Sequence, residues 1–227
     1  MRFSSPTLNG RIAYFAEDGK VWGQERFSMS IHRCGRTVRA LCELDKVGLL
    51  RDASWSLDTS WKPREGFFRT LSDGVTTAHA WYRIDGSAVD YEGYTAQFGR
   101  VSQRLMAERA VDFLGFHPLV GDGLITAVCQ AMAVGGHKTV TCVTNSLSGY
   151  GDEGLLAYLV APQVTYLGRE RIRVRAGQFD AEHFTIRWSD AVPSPARFWV
   201  LPEHFLLLRS EGALAGTSYE LVELDAG

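Results

Sequence analysis

The sequence has few cysteines and no excess of charge of either sign, and these two shortages exclude several classes of protein. Four cysteines occur in 227 residues, and none forms a CxxC pair, so neither a disulfide scaffold nor a zinc ribbon is expected. Lysine and arginine total 24 against 26 acidic residues, giving a formal net charge of −2. A chain without a basic field is not expected to bind nucleic acid.

Long apolar runs and the common catalytic motifs are also missing. No stretch approaches the roughly 18 to 20 apolar residues of a membrane-spanning helix, and the first residues, MRFSSPTLNG, contain no apolar signal segment. The sequence therefore predicts a chain that does not span a membrane and stays in the cytoplasm. It contains no Walker loop, GxGxxG turn, GxSxG elbow or HExxH helix, so neither a cofactor nor a metal is expected.

Short segments of alternating apolar and polar residues recur along the chain and predict β-strands. The run from Phe27 to Ile31 alternates in this way, and Val38 to Leu44 repeats it after a turn at Cys34 to Arg36, which is typical of a hairpin. About a dozen such strands predict an all-β fold, a large curved antiparallel sheet or barrel with an internal apolar cavity. We expect one β-barrel-like domain over residues 1–227.

A central segment breaks the strand pattern and predicts one substantial helix. Apolar residues from Leu124 to Met132 recur at helical spacing. Asp122 precedes them and is expected to be the N-cap, because its side chain can accept the unpaired N–H groups of a first helical turn. The pair Gly135-Gly136 is expected to end this helix.

The part of the chain after Arg169 resembles a known family. The run Ala176 to Phe184, the aromatic segment Phe198-Trp199-Val200 and the closing segment Tyr219-Glu220-Leu221 resemble an uncharacterised family of bacterial β-rich domains, number 3108 in the domain-of-unknown-function series. The resemblance implies a curved antiparallel sheet of the lipoprotein-carrier type and supplies no catalytic residues. The first 145 residues show no such resemblance.

A loop with one histidine and one acid is the first candidate site. His117 lies between Phe116 and Pro118, and Asp122 follows five positions later. Loops beside a rigid sheet often carry binding and catalytic side chains, and a carboxylate near an imidazole can orient it. The alternative is structural, with Asp122 as a helix cap and His117 closing a turn.

The strand around His79 is a second candidate. Period-2 alternation places His79 and Trp81 on one face and Tyr82 on the other, and the pattern leaves open which face is inside. An inward His79 would suit proton transfer on an apolar substrate. Tyr82, Tyr91 and Tyr94 are further candidates, since tyrosine hydroxyls could donate hydrogen bonds in a pocket.

A third candidate lies in the Asp180 to His183 run. Asp180 and Glu182 share a strand face with Phe184, so they approach the cavity if that aromatic face is inward and form a solvated row if it is not. His183 is retained as a substrate-binding candidate. Large aromatic side chains are expected as cavity walls, and those considered for substrate binding are Trp81, Tyr94, Phe116, Trp188 and Trp199.

These observations support two functional hypotheses. The first is a cofactor-independent isomerase or lyase that acts by general acid–base catalysis on a hydrophobic, aromatic or polycyclic, small molecule. Its base is His117 or His79, Asp122 orients that base, and Tyr82 or Tyr91 polarises a substrate oxygen. The alternative is a non-catalytic carrier or sensor of a lipid-like ligand. Both hypotheses name a hydrophobic small molecule as the partner, and a homodimer is left open.

Overall fold

The computed structural model describes residues 6–189, 194–212, 214 and 216–226, which form two β-sheets. The larger sheet has 14 strands, all paired antiparallel, in the order β10-β13-β14-β15-β16-β17-β1-β2-β3-β4-β5-β6-β7-β8. The antiparallel all-β prediction is therefore confirmed. Its strands are β1 Thr7–Ala16, β2 Val21–His32, β3 Gly35–Leu44, β4 Leu49–Leu57, β5 Pro63–Ser72, β6 Val75–Asp85, β7 Ala88–Thr95, β8 Gly99–Met106, β10 His137–Thr139, β13 Gln163–Val174, β14 Gly177–Arg187, β15 Ala196–Leu201, β16 Leu206–Glu211 and β17 Thr217–Ala226.

The strands of this sheet alternate between a buried inner face and a more exposed outer face. In β4 the buried residues are Leu49, Arg51, Ala53, Trp55 and Leu57, while the residues between them are partly exposed. The first and last strands, β1 and β17, pair with each other near the middle of the sheet. The two ends of the described chain are thereby joined by backbone hydrogen bonds.

A smaller sheet lies against the inner face of the large one. It contains β9 Phe113–Gly115, β11 Cys142–Thr144 and β12 Tyr158–Val160, with β9 and β11 parallel. The Trp55 indole N–H of β4 donates to the Leu114 carbonyl at 2.8 Å. Residues 107–162, between β8 and β13, are called the insert below. Strands β4 and β5 on one side of the large sheet contact the insert through β9, and β16 on the other side packs against its residues 119–123. The large sheet therefore curves around the insert.

The expected long helix is absent from the described residues, so that prediction is wrong. A five-residue α-helix, α1, spans Leu119–Gly123, and a 3-10 segment follows over Leu124–Cys129. Gln130 is extended and Ala131 has a φ of 59°, which ends the helical conformation before Met132. Leu124, Ile125 and Cys129 are buried, so the apolar spacing reflects burial of a short irregular segment and not the face of an α-helix.

The helical segments are all short. None of them, within the described residues, combines the length and the apolar character that a transmembrane helix needs.

Candidate functional site

A cavity of about 360 Å³ lies between the large sheet and the insert and opens to the surface beside Leu147 and Tyr150. Its volume falls within the range of small-molecule sites. Apolar side chains make up most of its wall, and its Trp and Tyr side chains come from β1, β2, β17, the residue after β14 and the loop around Tyr150. The main lining residues are Tyr14, Trp22, Leu44, Arg51, His117, Leu119, Asp122, Thr144, Ser146, Val160, Ile186, Trp188, Ala196, Leu214 and Tyr219.

A buried carboxylate beside the cavity fixes the start of α1. Glu25, on the inner face of β2, is completely buried. Its two carboxylate oxygens accept the backbone N–H groups of Leu119 and Val120, each at 2.7 Å, and one of them also accepts the Tyr14 hydroxyl at 2.7 Å. Burial raises the pKa of Glu25, and these donors oppose the rise.

The prediction that Asp122 is an N-cap is wrong, because Glu25 of β2 accepts the N–H groups at the start of the helix. Pro118 occupies the N-cap position of α1, and Asp122 lies inside the helix. The Glu25 carboxylate supplies the acceptors that a capping side chain would otherwise provide. Asp122 therefore does not cap a helix, and its side chain lines the cavity.

Arg51 is the charged residue of the cavity wall that sequence reasoning missed. It lies on the inner row of β4, is 5% exposed and lines the cavity. Its Nε is buried without a hydrogen-bond partner, and no carboxylate of the described residues lies within 4.0 Å of its guanidinium. The signal was present in the sequence, since Arg51 interrupts an otherwise apolar alternating row from Leu49 to Leu57.

Asp122 has an unusual acidity for a carboxyl group. Burial and, to a smaller extent, the negative charge of Glu25 raise its pKa to about 7, while Arg51 opposes the rise. At neutral pH the Asp122 side chain is therefore present in both protonation states, as a hydrogen-bond donor and as an acceptor.

His117 lies in the same cavity but does not contact Asp122. Its Nε2 is 3.3 Å from the Ser146 carbonyl oxygen, and its φ of 70° is rare for a residue with a side chain. Burial, helped by the positive charge of Arg51, lowers the pKa of His117 to about 3, so the ring is neutral at pH 7. The structure brings His117 and Asp122 to one cavity without a hydrogen bond between them.

Two of the predicted tyrosines are in the core and away from the cavity. Tyr82 and Tyr91 are fully buried, and their hydroxyls donate to the carbonyls of Leu156 and Leu155 at 2.8 and 2.9 Å. Burial raises the pKa of both tyrosines, that of Tyr91 to about 12. Phe116 packs against Trp55 and Tyr82 in the same core. These contacts hold the insert on the sheet.

The predicted residues of β6 and β7 lie on the outer face. Ala78, Ala80 and Tyr82 form the buried row of β6, so His79 and Trp81 point outward and are exposed. The His79 ring stacks on Tyr94 of β7 with the centroids 6.0 Å apart, and Tyr94 is 44% exposed. An inward His79 is not observed.

The candidates in β14 and β15 divide between the two faces. Trp188 lines the cavity. His183 stacks on Trp199 with the ring centroids 4.3 Å apart, and both side chains contact the Glu170 carboxylate, His183 Nδ1 at 3.0 Å and Trp199 Nε1 at 2.7 Å. Neither residue lines the cavity.

The acids of β14 do not approach the cavity either. Phe184 and Ile186 are buried, yet Asp180 is exposed and Glu182 pairs with Arg169. The alternation changes phase between Ala181 and Phe184, which are both buried, and a bulge in β13 between Tyr166 and Gly168 lies opposite Phe184 and His183. The aromatic face is inward without bringing these carboxylates with it.

Comparisons with solved structures identify the fold. The chain is similar to a β-barrel-like protein of the domain of unknown function DUF1849 from Brucella abortus, with a TM-score of 0.60, 12% identity and 98% of each chain covered. It is also similar to a DUF1089 family protein from Pseudomonas aeruginosa, with a TM-score of 0.51, 13% identity, and 84% of this chain and 90% of that chain covered. The fold is that of β-barrel-like domains.

The sequence comparisons add nothing to this. No family model matches the chain, and no curated protein matches it. The resemblance of the C-terminal part to family 3108 is therefore not confirmed, although a β-rich domain of unknown function agrees with the fold. At these identities the solved structures define the fold alone, and any function has to be argued from the cavity itself.

Proposed function

We propose that the protein binds a hydrophobic small molecule in the cavity. The observation that carries the proposal is the partly open cavity of about 360 Å³, which lies between sheet and insert and is lined mainly by aliphatic and aromatic side chains. Binding sites for small molecules commonly combine such an apolar wall with a few polar groups that orient the ligand. Here those groups are Arg51, His117 and Asp122.

A carrier or sensor agrees with this geometry better than the acid–base scheme predicted around His117. Of the five predicted catalytic residues, His117 and Asp122 line the cavity, and they form no hydrogen bond with each other. A histidine that is neutral because of its low pKa is a weak base.

Catalysis is the second candidate, and Asp122 is the specific observation in its favour. A carboxyl group with a pKa of about 7 can both donate and accept a proton at neutral pH. Arg51, which lines the same cavity, could stabilise negative charge that develops on a substrate oxygen. The corresponding activity is a cofactor-independent isomerisation or elimination with Asp122 as the proton-transferring group.

Fluorescence titration with N-phenyl-1-naphthylamine, an uncharged apolar probe, tests the binding proposal. Ala196 is buried and lines the cavity, so Ala196→Phe fills part of the volume and is expected to weaken probe binding at least about tenfold. Ala96→Phe, at an exposed turn, is the matched control. Equal binding by wild type and a folded Ala196→Phe protein would overturn the proposal.

Native mass spectrometry of protein purified from its own host separates carrier from enzyme. A co-purified ligand that wild type leaves unchanged supports the carrier. A ligand that wild type converts and Asp122→Asn leaves intact supports catalysis, because the amide cannot transfer the proton. Cytoplasmic location and a homodimer stay predictions.

A further inference from the structure

Arg51 carries a buried positive charge that the described residues leave without an ion pair. A guanidinium stays protonated in proteins, and a buried charge without a partner is costly. The twelve ion pairs found among the described residues do not include Arg51. Its side chain instead lies against the Cys42 thiol, a weak acceptor.

The two acids that Arg51 influences electrostatically, Glu25 and Asp122, do not form an ion pair with it. Glu25 is close enough for Arg51 to lower its pKa, but three other donors already occupy its oxygens. Asp122 lines the same cavity but forms no ion pair with Arg51 among those found in the described residues, and burial raises its pKa to about 7. The indole N–H of Trp22, another lining residue, is also buried without a partner.

We propose that the ligand of the cavity is a hydrophobic monocarboxylate whose carboxylate pairs with Arg51. The proposal rests on the proposed function, because it names the class of ligand for the same cavity. Unpartnered N–H donors among the lining residues require an acceptor, and a carboxylate accepts through both oxygens without donating. The apolar wall accommodates the remainder of the molecule.

The charges around Arg51 favour a single negative charge on the ligand. One guanidinium lines the cavity, and Glu25 and Asp122 lie within electrostatic reach of it. A doubly charged phosphate would meet more repulsion from these two acids than a singly charged carboxylate would. Protonated Asp122 could donate a further hydrogen bond to a carboxylate, whereas a ligand ammonium group would be repelled by Arg51.

Two matched fluorescent probes test the charge, 11-(dansylamino)undecanoic acid and its methyl ester. We expect wild type to bind the acid more tightly than the ester. Arg51→Met removes the charge at similar volume and is expected to weaken binding of the acid about 10- to 100-fold, with the ester affected less than about threefold. Arg51→Lys keeps the charge without the two-pronged geometry and should give an intermediate loss.

Arg39→Met is the control, since Arg39 is exposed on the outer face of β3. Equal affinity of wild type for acid and ester, or an equal loss of both in Arg51→Met, would overturn the carboxylate proposal and leave cavity binding intact. Tighter binding of the corresponding amine would overturn it in the same way. If neither probe binds and N-phenyl-1-naphthylamine does not bind either, the proposed function itself fails. Arg51→Lys keeps the test informative if Arg51→Met does not fold.

Discussion

Asp122 and His117 are expected to make opposite contributions to the pH dependence of stability. The pKa of Asp122 is raised from 3.8 to about 7 by folding, so its contribution is complete below pH 3.8 and is lost as pH rises through 7. The pKa of His117 is lowered from 6.5 to about 3, so its contribution is complete above pH 6.5 and is lost as pH falls through 3. Between these limits the two effects oppose each other.

The magnitude follows from proton counting. Between about pH 4.5 and 6 the folded state holds one extra proton at Asp122 and lacks one at His117, so the two slopes of about 1.4 kcal/mol per pH unit cancel in wild type. Asn at position 122 removes one slope. The free energy of unfolding of Asp122→Asn, relative to wild type, is therefore expected to rise by about 2 kcal/mol as the pH increases from about 4.5 to 6. The same quantity for His117→Gln is expected to fall by about 2 kcal/mol.

Urea denaturation followed by tryptophan fluorescence at several pH values measures both differences. Subtracting wild type removes the contributions of other titrating groups. His79→Gln is the control, because this histidine is exposed on the outer face of β6, away from the cavity. Flat difference profiles for both cavity variants would refute the reasoning, since they would show that neither group is displaced from its ordinary pKa.

Three further predictions concern contacts that hold the insert. Glu25→Gln places an amide opposite the N–H groups of Leu119 and Val120 and should cost about 2 to 4 kcal/mol of unfolding free energy; a loss below 1 kcal/mol in urea denaturation would contradict the capping role. Trp55→Phe loses the 2.8 Å bond to the Leu114 carbonyl and should cost about 2 to 3 kcal/mol by the same assay, whereas unchanged stability would disprove that contact. Gly66→Ala puts a methyl group 2.6 Å from Leu114 and Phe116 and should lower the thermal midpoint, by about 1 to 3 kcal/mol in stability; an unaltered midpoint would show that the insert can move away.

The strands could be predicted from the sequence because their signal is local. The predicted hairpin is observed as β2 and β3, with its turn at Arg33 and Cys34, one residue before the predicted start of the turn. Alternation and turn residues are sufficient for such elements. The strand Thr7–Ala16 was not anticipated, since Leu8, Ile12, Ala13, Tyr14 and Phe15 are buried without regular alternation.

The helix and the sheet faces could not be predicted from local signals. Residues 124–129 have helical spacing, but packing of Gly121 on Trp55 and of Gly123 on the backbone of β16 confines the chain to a short turn. For β6, alternation separated the residues into two faces but did not show which face is buried. The buried partners of Tyr82 are residues 116 and 156, which lie far along the chain. Long-range contacts decided both outcomes.

The clearest missed signal was charge on an otherwise apolar row. Arg51 and Glu25 each occupy a buried position within an alternating apolar series, of β4 and β2. Such positions are rare unless the charge has a partner or a task. Reading each strand as two separate rows would have identified both residues, although not the cavity between them.

Removing the buried charge of Glu25 and removing that of Arg51 should change the free energy of unfolding differently. This difference distinguishes a charge that the fold needs from one that a ligand would need. Glu25 satisfies two backbone N–H groups, so its loss should destabilise the protein. Arg51 has an unpartnered Nε and no ion pair among the described residues, so Arg51→Met exchanges an uncompensated buried charge for an apolar side chain. Its free energy of unfolding in urea is expected to stay within about 1 kcal/mol of wild type or to rise. A loss of 3 kcal/mol or more would mean that Arg51 is needed by the fold, and its burial would then require no ligand.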